Sequence, residues 1–475
     1  GLLADGFLAY EDGVPSTGST SPLWAVALAA VHAAVPEAAG VDGIVRGTRI
    51  LGVLLHLGLI ATAASLATRL AGRAAGAAAG GLVALATPLA MAAFSGMEVG
   101  LAALLLTLGA RDVVGNRWGR AGVWLGLAGL TRPEAGVVVV LALGFLAWRG
   151  PRGARGPAAL RLLAGPVAAG AVFVGYDLWA SGAPLPAAFY AKSSGSPADL
   201  PARLGRALTG LFPQVPPFAF GLGWLALLGL FRAGGPRSGA TGERPWSRAD
   251  RAWPAAAGGA FVLANVALID PVDPAAFYHL RYVLPAVPLL LVGLAVGATA
   301  LGGGRIPRAA PLVTLLALSV AGAAVTVRPV SRHFHNDVRN INEVQRSIGR
   351  HLGETLPGGT RIATSDAGAV RFFSELPTID VTGLNTPEMR DASDGFLRRH
   401  PVAAIVLLPA WYRSPDADRL REVYRAVTED YTVTSNERMA GQVVLALVAA
   451  DTAPARLRFV GFHSFALDFV PWPAR

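Results

Sequence analysis

Residues 121–148 read AGVWLGLAGLTRPEAGVVVVLALGFLAW, a nearly unbroken apolar run interrupted at its centre by Thr131-Arg132-Pro133-Glu134. A membrane-crossing helix needs about 20 consecutive apolar residues. Here the interruption divides the run into two short apolar segments, 120–131 and 135–148, with Pro133 suited to the start of the second. Arg132 and Glu134 would then stand at membrane depth, where charges are costly unless they pair or face a cavity. This one stretch predicts a membrane fold and the corner of it where chemistry is to be sought.

Moving outward, further apolar segments lie near 45–66, 75–94, 97–112, 159–180, 214–231, 252–269, 281–301 and 309–328, which makes ten in all. The 97–112 segment is also short, so tilted or half-length helices are expected there and at 120–131. Residues 21–35 are apolar but contain His32 and run into Pro36, and they are read as a helix lying in the membrane interface. Composition agrees. Hydrophobic residues make up 53% of the 475-residue chain, charged residues only 15%, and mean hydropathy is +0.47. A soluble domain carries about a quarter charged residues, so a cytosolic enzyme, a nucleic-acid binder and a disordered chain are all excluded. The fold class expected is a multi-spanning α-helical membrane protein with about ten spans and a C-terminal soluble α/β domain.

The net charge of +10 marks topology. Arginines gather at 69 and 73, at 111, 117 and 120, at 149, 152, 155 and 161, at 232, 237, 244, 248 and 251, and at 305 and 308. With ten spans threaded in order, all five clusters fall on one side, which the positive-inside rule makes the cytoplasm. The opposite loops begin near Ser95, Arg132, Ser181 and Asp270. Residues 1–44 and everything after 330 are then extracytoplasmic, and an exterior start predicts a further helix upstream of Gly1. The division expected is a first outer loop over 1–44, a transmembrane domain over 45–329 and an outer α/β domain over 330–475. Close to half of the charges fall after residue 330. Helical periodicity is read over 338–355, and strands over 361–364, 402–408 and 442–448. The Gly/Ser/Arg-rich stretch 232–251 is read as a cytoplasmic loop, and no internal repeat is found.

The unusual polar residues collect at the outer ends of the spans. Ser95-Gly96-Met97-Glu98 puts a carboxylate at a helix start, where the helix dipole favours it. Phe189-Tyr190-Ala191-Lys192 carries the only lysine of the chain, shortly after Tyr176 and Asp177. Phe277-Tyr278-His279-Leu280-Arg281-Tyr282 stands where the 281–301 segment begins. An arginine there can snorkel, and its fork also suits a lipid-linked phosphate. Together Arg132, Lys192 and Arg281 would line one outer cavity with positive charge suited to a lipid-linked phosphate, with Glu134, Asp177, Tyr190 and His279 as further lining. Cysteine is absent, which removes thiolate chemistry. His333 and His335 have no third partner nearby, so no metal site is assigned. His56 reads as a core residue, and neither a GxxxxGK[ST] loop nor a GxSxG elbow occurs.

Gly18-Ser19-Thr20-Ser21-Pro22-Leu23-Trp24, Ser95-Gly96-Met97-Glu98, Leu130-Thr131-Arg132-Pro133-Glu134, Phe189-Tyr190-Ala191-Lys192 and Arg281-Tyr282 form a series that resembles bacterial GT-C glycosyltransferases. It is most similar to the actinobacterial terminal arabinofuranosyltransferases of the cell envelope. Ser365-Asp366-Ala367-Gly368 and Ile379-Asp380-Val381-Thr382-Gly383-Leu384 resemble the soluble outer domain of that group. The resemblance implies an enzyme of the bacterial cytoplasmic membrane that takes a sugar from a polyprenyl-phosphate donor at the outer face. The sugar would be arabinofuranose or another pentose or hexose, and the acceptor an envelope glycan or lipid. A divalent cation, Mg or Mn, is compatible with it, and nucleic acid is not a partner. The family's acidic pair, the general base, would lie upstream of Gly1. Glu11 and Asp12 stand closer to the Thr20–Trp24 motif than the family pair would, so the role is not carried over to them; either the chain from Gly1 onward is inactive, or another carboxylate such as Glu98 contributes as the catalytic one. Two other readings stay open: a transporter or flippase of a lipid-linked or anionic substrate, and a non-catalytic envelope assembly protein.

Overall fold

In the computed structural model the described residues are 2–11, 13–192, 200–205, 247–268, 280–301, 307, 309–364, 367–391, 400, 402, 404–407, 424–428, 442–447 and 467–471. A short antiparallel hairpin, β1 (Ala9–Glu11) and β2 (Val14–Pro15), precedes the helices. The helical body follows as α1 (Pro22–Ala34), α2 (Gly40–Ala71), α3 (Arg73–Leu85), α4 (Thr87–Phe94), α5 (Val99–Val114), α6 (Trp118–Thr131), α7 (Gly136–Arg149), α8 (Arg155–Ser181) and α9 (Ala187–Lys192). It continues with α10 (Arg248–Leu268), α11 (Val287–Leu301) and α12 (Ala310–Asn340).

Among the described residues four helical stretches are long and apolar enough to cross a membrane: Glu37–Ala71, Arg152–Ser181, Leu284–Leu301 and Ala310–Arg332. A fifth is added if α3 and α4 count as one span. The apolar run expected over 75–94 is thus one broken element: its halves meet at 58°, where Pro88 follows Ala86 and Thr87. The segments expected at 97–112, 120–131 and 135–148 are helices of 16, 14 and 14 residues. At 1.5 Å per residue they reach about 21–24 Å, short of a full bilayer core. The segment expected at 214–231 and the loop at 232–251, up to Pro245 and Trp246, lie outside the described residues. The helix expected over 21–35 is α1, 13 residues long.

The helices pack around one apolar core drawn from α2 to α8 and α10 to α12. A close crossing joins α6 to α8. A Cβ on Gly126 would stand 2.6 Å from the carbonyl carbon of Gly165, and one on Gly122 would strike the backbone of Leu162. Only glycine lets two helix backbones approach so closely, the small-xxx-small arrangement of membrane helix pairs. At the cytoplasmic-type end predicted from the arginines, Arg69 lies against Gly115, and Arg149 pairs with Asp250. Two pairs of the arginine-bearing loops are therefore neighbours. Asp112 is fully buried there, accepting from Trp124 Nε1 at 3.0 Å and pairing with Arg120 at 3.2 Å.

Helix α12 runs through position 330 without a break, and a π-helical turn (Ile341–Gln345) leads into α13 (Arg346–Thr355). The part of the chain after α13 contains α14 (Ala367–Ser374) and six strands: β3 (Ile362–Thr364), β4 (Thr378–Asp380), β5 (Ala404–Leu407), β6 (Tyr424–Thr428), β7 (Gln442–Leu447) and β8 (Leu467–Pro471). Their order in the sheet is β4-β3-β5-β7-β6-β8. β3 is parallel to both neighbours, with Ile362 opposite Thr378 and Ala404, and the remaining pairs are antiparallel. The three strands expected from sequence are β3, β5 and β7.

Candidate active site

The site forms where the helical body meets the sheet domain, and Pro133 is the reason it can. The pyrrolidine ring disfavours helical backbone at the preceding residue. Arg132 accordingly leaves α6 in extended conformation, φ −149° and ψ 107°, and its side chain turns inward. Its Nη2 donates to Glu98 Oε1 at 2.6 Å and to the carbonyl oxygen of Arg281 at 3.1 Å. Both side chains of this ion pair are buried, Glu98 at 7% and Arg132 at 4% exposure. Burying two charges is offset only when they pair closely and find further hydrogen bonds; Arg132 adds one, to the Arg281 carbonyl, while its Nε meets no partner among the described residues.

Glu98 is delivered by the turn before α5. Ser95 Oγ accepts from Met97 N, and Gly96 turns the chain at φ +73°. On the third side, Leu280 adopts φ +63°, a left-handed conformation unfavourable for a branched side chain. That turn places the Arg281 carbonyl within reach of Arg132. Tyr282 lies between the two arginines, each guanidinium carbon 5.0 Å from its ring centroid. A cation over a desolvated aromatic face is held by the ring quadrupole, so Tyr282 acts as a shared platform. It is a site residue that the sequence reading quoted only as part of a motif. Glu134 is half-buried just past the corner, and its Oε2 meets no hydrogen-bond partner among the described residues.

The N-terminal segment clasps this corner. Ser21 Oγ donates to the Thr131 carbonyl at 2.8 Å, and Trp24 Nε1 donates to the Gly96 carbonyl at 3.0 Å. Tyr176 on α8 donates to the carbonyls of Leu8 and Ser16, and Thr17 Oγ1 accepts from Ala187 N at the start of α9. Toward the sheet domain, Glu11 Oε1 accepts from Thr378 N at 3.0 Å, and Gly18 is packed so closely on Asn385 that no Cβ would fit. Glu11 is thus engaged in docking the two parts of the chain. The loops around 18–24, 95–98, 131–134, 176–190 and 281–282 all meet at one end of the bundle.

Under the sheet domain opens a polar cavity of about 470 Å³. Tyr10, Glu11, Ser16 and Thr17 line it from the N-terminal loop, Tyr190 from α9, and Arg361, Thr386, Glu388 and His400 from the sheet domain. One wall is a loop wound around Asp380, whose carboxylate accepts from Thr382 N, Thr382 Oγ1, Asn385 N and Asn385 Nδ2 at 2.5–3.0 Å. No periodicity of the sequence points to these lining residues, because four segments distant in sequence assemble them.

Of the residues expected from sequence, the structure brings Glu98, Arg132 and Arg281 into direct contact and puts Glu134 beside them. Tyr190 lines the polar cavity. Asp177 is buried in a different hollow of about 180 Å³, chiefly apolar, together with Tyr176, Phe7 and Phe173. Lys192 is the last residue of α9, and its side chain lies outside the described residues, as does all of His279. Among the described residues no group of three or more His, Asp or Glu is placed to hold a metal ion.

Residues 336–451 match a domain of unknown function, DUF8728. No curated protein matches the chain. Two solved structures of ArnT from Cupriavidus metallidurans are similar to it. The apo structure is 14% identical and covers 84% of this chain and 83% of its own, with a TM-score of 0.46. The structure bound to undecaprenyl phosphate is 15% identical and covers 85% and 84%, with a TM-score of 0.45. Likenesses at that level carry no argument about what this chain binds or does.

Proposed function

We propose that this chain is a membrane glycosyltransferase that moves a sugar from a polyprenyl-phosphate donor to a cell-envelope glycan or lipid. The observation that carries the reading is the meeting of Glu98, Arg132 and Arg281 at the Tyr282 ring, at the end of the bundle. Transfer breaks the bond between the sugar's anomeric carbon and the phosphate oxygen, and it forms a bond from that carbon to an acceptor oxygen. The acceptor hydroxyl loses its proton to a carboxylate, and the departing lipid phosphate gains negative charge that cations must stabilise. Arg281 and Arg132 are the cations of the described corner, and Lys192 is assigned with them to the donor phosphate. Glu98 holds Arg132 in place through one oxygen and is assigned as the carboxylate of the site. Glu134, Tyr190 and His279 are assigned to the substrate cavity, whereas Asp177, in its separate apolar hollow, is not.

The acceptor enters through the 470 Å³ cavity, whose hydroxyl, carboxylate and tyrosine lining suits a sugar better than an acyl chain. Donor entry is lateral, from the bilayer. Arabinofuranose is the sugar that the motif series favours, and the outer face of the bacterial cytoplasmic membrane is the location that the arginine clusters favour. A transporter reading would call for charges near the membrane midplane, whereas this corner sits at one end of the helices.

The test is transfer by the full-length protein, reconstituted in vesicles with labelled polyprenyl-phosphate sugars and an envelope glycan. Arg281→Ala and Lys192→Ala are each expected to abolish most transfer. Transfer that survives both substitutions would overturn the assignment of the phosphate site, and absence of transfer from every donor offered would favour the assembly-protein reading.

A further inference from the structure

A second charged feature lies away from this corner. A groove of about 620 Å³ runs between the start of α2 and the helices of the sheet domain, lined by Asp42, Arg46, Arg49, Arg346, Phe372 and Phe373 among others. Arg46 and Arg49 are exposed, and one helical turn further the same face of α2 carries Ile50, Leu54 and Leu57, each more than half exposed. Residues three and four apart share a helix face, so the two arginines cap an outward apolar stripe. α2 belongs to the longest helical stretch able to cross a membrane, and a stripe of that kind faces lipid. The arginines therefore stand at the level of lipid headgroups. From the sheet domain, Arg346 is held 5.0 Å over the Phe373 ring, and Phe372 is 57% exposed beside it. Three arginines against one aspartate leave the groove positive.

We propose that this groove binds the phosphate of an anionic phospholipid in the leaflet facing the sheet domain. Arg46 and Arg49 hold the headgroup from below, Arg346 closes over it, and the acyl chains run down Ile50, Leu54 and Leu57. The site differs from the donor corner, which lies at Arg132 and Arg281. It anchors the sheet domain to the membrane surface and keeps the polar cavity at a fixed height. The inference does not depend on the transferase reading.

The experiment compares binding of phosphatidylglycerol and phosphatidylcholine to the full-length protein in neutral detergent, by native mass spectrometry. Phosphatidylglycerol is expected to bind preferentially, and Arg46→Gln with Arg49→Gln to weaken it by about fivefold per arginine. Phosphatidylcholine binding stays unchanged, and millimolar inorganic phosphate does not displace the lipid. Arg46→Lys with Arg49→Lys should retain most of the affinity. Arg346→Gln, in the sheet domain, is the independent variant should the double substitution disturb insertion, and it too should lose about fivefold. Equal affinity of wild type and Arg346→Gln for phosphatidylglycerol, equal binding of the two lipids, or displacement by inorganic phosphate would each overturn the proposal.

Discussion

Arg132 Nη2 lies 2.6 Å from Glu98 Oε1, and both side chains are buried although they begin and end different helices. Removing either partner leaves an uncompensated buried charge, which costs about 3–5 kcal/mol. Glu98→Ala and Arg132→Ala should each lower thermal stability in detergent by that amount. The double variant Glu98→Leu/Arg132→Met should be more stable than either, because an apolar pair of similar volume escapes the desolvation penalty. Equal stability of the single variants and wild type would show that the pair is not formed.

Arg281 and Arg132 both stack on the ring of Tyr282. Tyr282→Phe keeps the ring and should change transfer little, whereas Tyr282→Ala frees both guanidinium groups. Losing preorganised stabilisation of developing charge costs about 10²–10³ in rate, so Tyr282→Ala should cut kcat/KM to that extent with kcat carrying most of the loss. A rise in KM with kcat unchanged would place Tyr282 outside the reacting centre.

The contact of Gly122 and Gly126 with Gly165 joins α6 to α8 and so holds the Arg132 corner against the helix that bears Tyr176. Alanine at any of the three overpacks the crossing, at about 1–3 kcal/mol each. Gly129→Ala and Gly170→Ala, where an added methyl meets nothing within 4 Å, should be tolerated. Thermal melts of the five variants in one detergent test this ordering.

Asp380 holds one wall of the polar cavity through four accepted hydrogen bonds. Asp380→Ala strands those donors, at about 1–3 kcal/mol each for the ones that water does not reach. The loop should loosen, seen as faster proteolysis near Thr382, and acceptor KM should rise while donor KM holds.

The chain contains no cysteine, so single cysteines report topology without background. Cysteine introduced at Gly153 and at Thr382, both exposed, should label from opposite sides of sealed vesicles. Labelling from one side would overturn the threading of the arginine clusters.

What could be read from the residues alone was whatever depends on local order: the apolar runs, the arginine clusters, the breaking effect of Pro133 and the strands β3, β5 and β7. These follow from hydropathy and periodicity within a few turns of chain, so a single sequence carries them. The gathering of Glu98, Arg132 and Arg281 was legible only as three charges on one predicted side. That Arg132 pairs with Glu98, that Tyr282 lies between two arginines, and that Asp177 faces a separate hollow were settled by tertiary packing alone. The break at 58° between α3 and α4 stands at Pro88, a local signal inside a run that is otherwise apolar enough to be read as one span. The polar cavity is the extreme case of tertiary assembly. Its walls come from residues 10–17, 180–190, 361 and 378–400, and no local pattern marks them, because their only common property is where the folded chain brings them.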